Sequence, residues 1–226
     1  MAIETSTLKL DKPQLSIGTL TGNMMNQGED VALLEKEGVN LLHLDVMNGT
    51  TWPKITVGSG FLAGIDTKLV KDVHLLVDDP ENYVADFAAA GADIITFQVE
   101  QTKDIAGTLK AIGDAGALRS AGIYPTTDFS LVTDNLSDID VVFVLAIGPD
   151  TGKETFFDVV KERVAKLREL KPELVIAIDG AVKKNNVGEI AQIGPDLIVT
   201  GSAVFDGNDV AANIADMNQS IAEATA

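Results

Sequence analysis

The chain has 226 residues, of which 46% are apolar, so it can bury one large core and is not expected to be disordered. Its formal charge of −17 opposes non-specific binding to nucleic acid or to an anionic membrane. With no cysteine, it can form neither a disulfide nor a thiolate ligand.

No apolar run approaches the ~18 residues of a membrane span. The opening MAIETSTLKLDKPQ has no basic stretch leading into an apolar one, so no signal peptide is expected and a cytoplasmic location fits.

Strand-like and helix-like segments alternate along the chain. Pro13 to Leu20 reads as the first strand and Asn26 to Glu37 as a helix with Val31, Leu33 and Leu34 on one side. Val39 to Val46 is the second strand, followed by a Gly- and Pro-containing loop from Met47 to Gly60 and a short helix over Phe61 to Leu69. Asp72 to Val77 is the third strand, and Asp79-Pro80 opens a helix that runs to Ala90, with proline early, where its missing N–H costs little. Strand four is Gly91 to Phe97, then a helix spans Thr102 to Ala115. Ala121 to Tyr124 is strand five and Leu131 to Leu136 a short helix. Val141 to Ile147, β-branched and aromatic, is strand six, followed by a helix over Lys153 to Leu170. Leu174 to Ile178 is strand seven, Asn186 to Ile193 a helix, Gly194 to Gly201 strand eight with its turn, and Val204 to Ala222 the closing helix.

Strands separated by helices imply a parallel sheet, and eight such units in this length imply a closed (β/α)8 TIM barrel, one domain over residues 1–226. An open doubly wound sheet is the alternative. No G-x-G-x-x-G opens the first helix, which removes the usual reason to prefer it.

The only two histidines, His43 and His74, fall in strands two and three. Alternation with period two puts His43 and Asp45 on one face and the neighbouring leucines on the other. Asp179 follows strand seven. Two imidazoles and two carboxylates at strand ends are the donors a divalent ion needs, and a barrel gathers its strand ends at the active-site face. Asp72 shares a face with His74 and is a rival ligand, but it lies nearer the strand start and so deeper. An acidic chain that binds a phosphate must use local devices such as backbone N–H groups at strand-end turns. The candidates are Asp179-Gly180-Ala181, Gly201-Ser202 and the run Gly148 to Gly152.

These stretches resemble the ribulose-phosphate 3-epimerase family: LSIG (Leu15 to Gly18), LHLDVMNG (Leu42 to Gly49), DVHLLVDDPENYV (Asp72 to Val84), DFAAAGADIITFQVE (Asp86 to Glu100), IDGAVKKNNVGEI (Ile178 to Ile190) and GSAVF (Gly201 to Phe205). The resemblance implies a ribulose-phosphate-binding barrel. One divalent ion, zinc or else manganese, iron or cobalt, would be held by His43, Asp45, His74 and Asp179, with Asp45 and Asp179 doubling as acid and base. It places Ser16 and Met47 near the substrate, with Gly152, Gly180, Ala181, Gly201 and Ser202 among the substrate-binding residues. It also implies a homo-oligomer, a dimer or a hexamer.

The implied reaction converts D-ribulose 5-phosphate to D-xylulose 5-phosphate. Three departures from the family pattern stand out: Asn48 in M-D-G, Gln98 in F-H, and Gly148 to Lys153 in place of P-G-F-G-G. The last leaves open a ketohexose phosphate such as allulose 6-phosphate, an unphosphorylated sugar, or a non-catalytic sugar-phosphate binder. Related barrels that decarboxylate or condense sugar phosphates carry Asp-x-Lys on strand three. Here that strand reads Asp72-Val73-His74, which argues against them.

Overall fold

In the computed structural model, residues 4–8, 11–151 and 154–226 are described. Strands β1 (Gln14–Gly18), β2 (Leu41–Met47), β3 (Val70–Leu76), β4 (Ile94–Gln98), β5 (Leu118–Ile123), β6 (Val141–Leu145), β7 (Val175–Asp179) and β8 (Leu197–Thr200) pair in parallel, each with its sequence neighbours. β1 pairs with β8, so the sheet closes. Helices α1 (Gln27–Lys36), α2 (Ser59–Ala63), α3 (Val84–Ala89), α4 (Ile105–Asp114), α5 (Ser130–Thr133), α6 (Phe157–Leu170), α7 (Val187–Gln192) and α8 (Val210–Ala224) follow the strands in turn. The expected (β/α)8 TIM barrel is the fold.

The period-two alternation of the strands divides the core in two. Leu42, Leu44, Ile95, Phe97, Val142, Val144, Ile176, Ile178 and Ile198 point outward and pack with the helices. Leu41, Ile94, Val141, Phe143, Leu145, Val175, Ala177, Leu197 and Val199 fill the interior. Leu8, 1% exposed, joins the interior set from outside the barrel, and its carbonyl accepts from Gln14 Nε2 at 2.9 Å.

Several boundaries differ from the sequence reading, each for a local reason. β5 begins at Leu118 rather than Ala121, because the polar residues that broke the apolar run are both partnered: Arg119 pairs with Asp140, and Ser120 Oγ accepts from Thr96 Oγ1 at 2.8 Å. Asp79 adopts a left-handed φ of 47°, so Pro80–Asn82 forms a 3-10 turn and α3 starts only at Val84. α2 is five residues, closed at Gly64 rather than running to Leu69. α6 starts at Phe157, since the Phe156 amide bonds to Ala146 O. Val204 and Phe205 form a turn back onto Gly201 O, and α8 starts after Asp209, whose side chain caps the Ala212 amide.

Candidate active site

β2 turns His43 and Asp45 inward, β3 turns in Asp72 and His74, and β7 delivers Asp179 at its last position. The register sets His43 beside Asp72 and Asp45 beside His74 on neighbouring strands. One donor atom from each of His43, Asp45, His74 and Asp179 lies within 4.8 Å of every other, and among the described residues this is the one such group that could hold a metal ion. His43 Nε2 is 3.3 Å from Asp45 Oδ1, and His74 Nδ1 is 3.4 Å from Asp179 Oδ2 and 3.6 Å from Asp45 Oδ1.

The far nitrogen of each ring is occupied. His43 Nδ1 donates to Asp72 Oδ2 at 2.8 Å, and the same oxygen accepts from Ser16 Oγ at 2.8 Å. His74 Nε2 faces Gln98 Oε1 at 3.3 Å. In the neutral form of each imidazole these acceptors hold the ring proton away from the cluster, so that one lone pair faces its centre. His74 Nδ1 is buried without a hydrogen-bond partner. A buried nitrogen left bare beside two carboxylates is what a divalent ion would satisfy, so the residues present fit one. Asp72 holds His43 from beneath and stands outside the cluster, as its depth in β3 implies.

Burial disfavours a charged His43, but the carboxylates of Asp72 and Asp45 outweigh it and raise the imidazolium pKa well above its ordinary value, so an ion binding at Nε2 would displace a proton there. Burial pushes Asp45 up, and the positive charge and hydrogen bond of His43, with smaller pulls from His74 and Lys54, bring it below the usual carboxylate range. Phe143 lies against both imidazoles, 5.9 Å from the His43 ring and 5.5 Å from the His74 ring, and closes the centre from below.

The cluster opens into a cleft of about 320 Å³. Met47, Gly180, Ala181, Gly201 and Ser202, all expected near a substrate, line it. Ser16 is fully buried and spends its hydroxyl on Asp72. Gly152, the remaining expected substrate-binding residue, lies outside the described residues. The glycines are sterically required: a Cβ on Gly180 would come within 2.7 Å of Ile147 Cγ1, and one on Gly201 within 2.7 Å of Gly18 O. Ala181 takes a φ of 57°, a left-handed conformation that costs an ordinary residue roughly 1–2 kcal/mol. The amides of Ala181, Val182, Ser202 and Ala203 donate no hydrogen bond among the described residues.

Sequence reasoning did not assign Lys54, Lys183, Trp52 or Tyr124, which also line the cleft. Lys183 Nζ donates to Ser202 Oγ at 2.7 Å, tying the turn after β7 to the turn after β8. Its signal was present: a lysine four residues after Asp179, in a strand-end turn of an acidic chain. Trp52 and Tyr124 carried no such signal. They meet only in three dimensions, where Trp52 Nε1 donates to the Tyr124 hydroxyl at 3.1 Å. Burial pushes the Tyr124 pKa up to about 12, so the phenol stays neutral.

A closed barrel that gathers two histidines and two aspartates at its strand ends, beside glycine turns with free amides, defines the class of (β/α)8 enzyme with a candidate metal centre at the barrel mouth. Residues 14–205 match the ribulose-phosphate 3 epimerase family. The chain is 32% identical to ribulose-phosphate 3-epimerase of Aquifex aeolicus over 88% of this chain and 92% of that one. It is 33% identical to that of Escherichia coli K12 over 90% and 94%. The chain belongs to the ribulose-phosphate 3-epimerase family and is a sugar-phosphate epimerase, an isomerase acting on carbohydrates. Among solved structures, 3-hexulose-6-phosphate synthase from Salmonella typhimurium superposes with a TM-score of 0.67 at 21% identity, covering 94% of this chain and 99% of that one. Mycobacterium tuberculosis tryptophan synthase reaches 0.74 at 13% identity, covering 98% and 99%. These two likenesses concern the fold alone. Among the described residues no helix is long and apolar enough to cross a membrane.

Proposed function

We propose that the chain is a divalent-metal-dependent 3-epimerase of a ketose phosphate, interconverting D-ribulose 5-phosphate and D-xylulose 5-phosphate. The observation that carries the reading is the convergence of Asp45 from β2 and Asp179 from β7 on one centre with two inward-facing imidazole nitrogens. Inverting a carbon beside a ketone requires a proton to leave one face and return to the other. Two carboxylates arriving from well-separated strands can address opposite faces of one carbon lying between them. Asp45, beside the cation it would help to hold, stays ionised near neutral pH and accepts the proton. Asp179 then serves as the acid on the opposite face, and the roles exchange in the reverse direction.

His43 Nε2, His74 Nδ1, Asp45 and Asp179 would hold the ion, and this donor set suits Zn²⁺ but also Mn²⁺, Fe²⁺ and Co²⁺. The ion would supply positive charge beside the oxygens on which negative charge develops. The phosphate fits at the other end of the cleft, on the free amides of the turns after β7 and β8, with Lys183 supplying the one charge those turns lack.

A panel of ketopentose and ketohexose phosphates, assayed with protein loaded with each of the four metals, tests the substrate. Turnover of D-ribulose 5-phosphate is expected. Turnover confined to a ketohexose phosphate would move the substrate to the longer sugar. Tight binding with no turnover of any member would make the chain a binder and overturn the catalytic reading.

A further inference from the structure

We propose that Gln98 and Gly122 act as one positioning unit that orients His74 and thereby sets the affinity of the metal centre. The inference rests on the metal reading above. The two imidazoles are held differently. His43 leans on the charged carboxylate of Asp72, whereas Gln98 offers His74 only a neutral carboxamide oxygen, 3.3 Å from Nε2. That oxygen is an acceptor alone. It holds the ring proton on Nε2 and keeps Nδ1 bare toward Asp45 and Asp179. Turned over, the carboxamide would present hydrogens to Nε2, move the ring proton to Nδ1, and leave no lone pair for an ion.

Gly122 gives the carboxamide its room. It pairs with Gln98 in the β4–β5 register and faces the same interior. A Cβ at position 122 would collide with Gln98 Oε1 and stand 3.3 Å from His74 Nε2. Gln98 is fully buried, so it has no solvent to move into. A methyl group at 122 must therefore displace the acceptor that faces His74 Nε2. The positions are coupled: the collision with Oε1, the larger part of the methyl's cost, exists only while residue 98 is long, and the 3.3 Å approach to His74 Nε2 is what remains without it.

The test is a cycle of Gln98→Ala, Gly122→Ala and the double variant. Co²⁺ affinity is read by chelator competition, and thermal unfolding of the metal-free proteins checks the fold. Each single change is expected to weaken binding about 10–100-fold, the usual effect of removing a group that orients a metal ligand. The double variant should lose less than the two single changes summed. Gln98→Met, which keeps the length but not the acceptor, should lose affinity, and Gln98→Glu, which keeps an acceptor, should hold it. These two keep the proposal testable if Gly122→Ala does not fold. Wild-type affinity in Gln98→Met or in folded Gly122→Ala, or costs that add in the double variant, would overturn the proposal alone. A wild-type chain that takes up no divalent ion would overturn the metal reading and this proposal with it.

Discussion

The two ends of the barrel use the same residue type in opposite ways. At the floor, an aspartate precedes each of β4, β6 and β8, and each accepts the backbone amide of the preceding strand: Asp93 from Lys71 at 2.8 Å, Asp140 from Arg119 at 3.0 Å and Asp196 from Ile176 at 2.8 Å. Asp140 and Asp196 are further matched by guanidinium groups, Arg119 Nη2 at 2.8 Å and Arg168 Nη2 at 2.7 Å. At the mouth, among the described residues, the carboxylates of Asp45 and Asp179 meet only histidine nitrogens, at 3.3 to 3.6 Å, with His74 Nδ1 left unpartnered. The floor's carboxylates are satisfied within the chain and tie strand to strand. Those at the mouth are held in place by the fold yet left with bonding capacity, which is the condition for binding something from outside.

The contrast is broken most severely at the mouth. Asp179→Asn keeps the shape and a weak oxygen donor but cannot carry a proton, so turnover should fall by at least ~10² while the protein stays folded. Near wild-type turnover would remove Asp179 from the proton transfer. His74→Ala should cost more metal affinity than the ~10–100-fold typical of orienting groups, measured as bound metal after dialysis. Full metal content would dissolve the site. Lys183→Met should raise KM for the phosphorylated substrate about tenfold, the scale of one hydrogen bond to a charged group, with kcat nearly unchanged. An unchanged KM would place the phosphate elsewhere.

The floor should answer in stability instead. Asp196→Ala should lose about 1–3 kcal/mol in urea unfolding, because it strips an acceptor from the Ile176 amide and from Arg168, and leave turnover per folded molecule intact. The smallest effect concerns acid. Burial alone would raise the Asp140 pKa, but its hydrogen bonds from Arg119 bring it below the ordinary value. A depressed native pKa contributes stability that is present above the unfolded value of about 3.9 and lost as pH falls through the native one. The stability gap between wild type and Asp140→Asn should therefore close below about pH 4, and a gap that widened there would reverse the sign of the argument.

How much was legible in the sequence follows the same division. The strands could be read because a parallel barrel buries both faces, so each appears as an apolar run, and β5 was cut short where Arg119 and Ser120 interrupted it. His43, Asp45, His74 and Asp179 could be read because alternation and strand-end position are local properties. The helix starts at Val84, Phe157 and Val210 were missed because turn geometry decided them: the positive φ of Asp79, the Phe156 bond to Ala146, and the Asp209 cap. The contacts of Gln98 with Gly122, Lys183 with Ser202 and Trp52 with Tyr124 join residues 19 to 72 positions apart. No local pattern announces such a pair, because the barrel's closure creates it.

The central claim is that the carboxylates left open at the mouth move a proton at C3 of a ketose phosphate. Its most direct test is to incubate metal-loaded wild-type protein with D-ribulose 5-phosphate in heavy water and follow C3 by NMR. The account predicts that the C3 hydrogen is replaced by deuterium as D-xylulose 5-phosphate forms, and that Asp179→Asn slows both together by at least ~10². Epimerisation with the C3 hydrogen fully retained, or exchange as fast in Asp179→Asn as in the wild type, would contradict it.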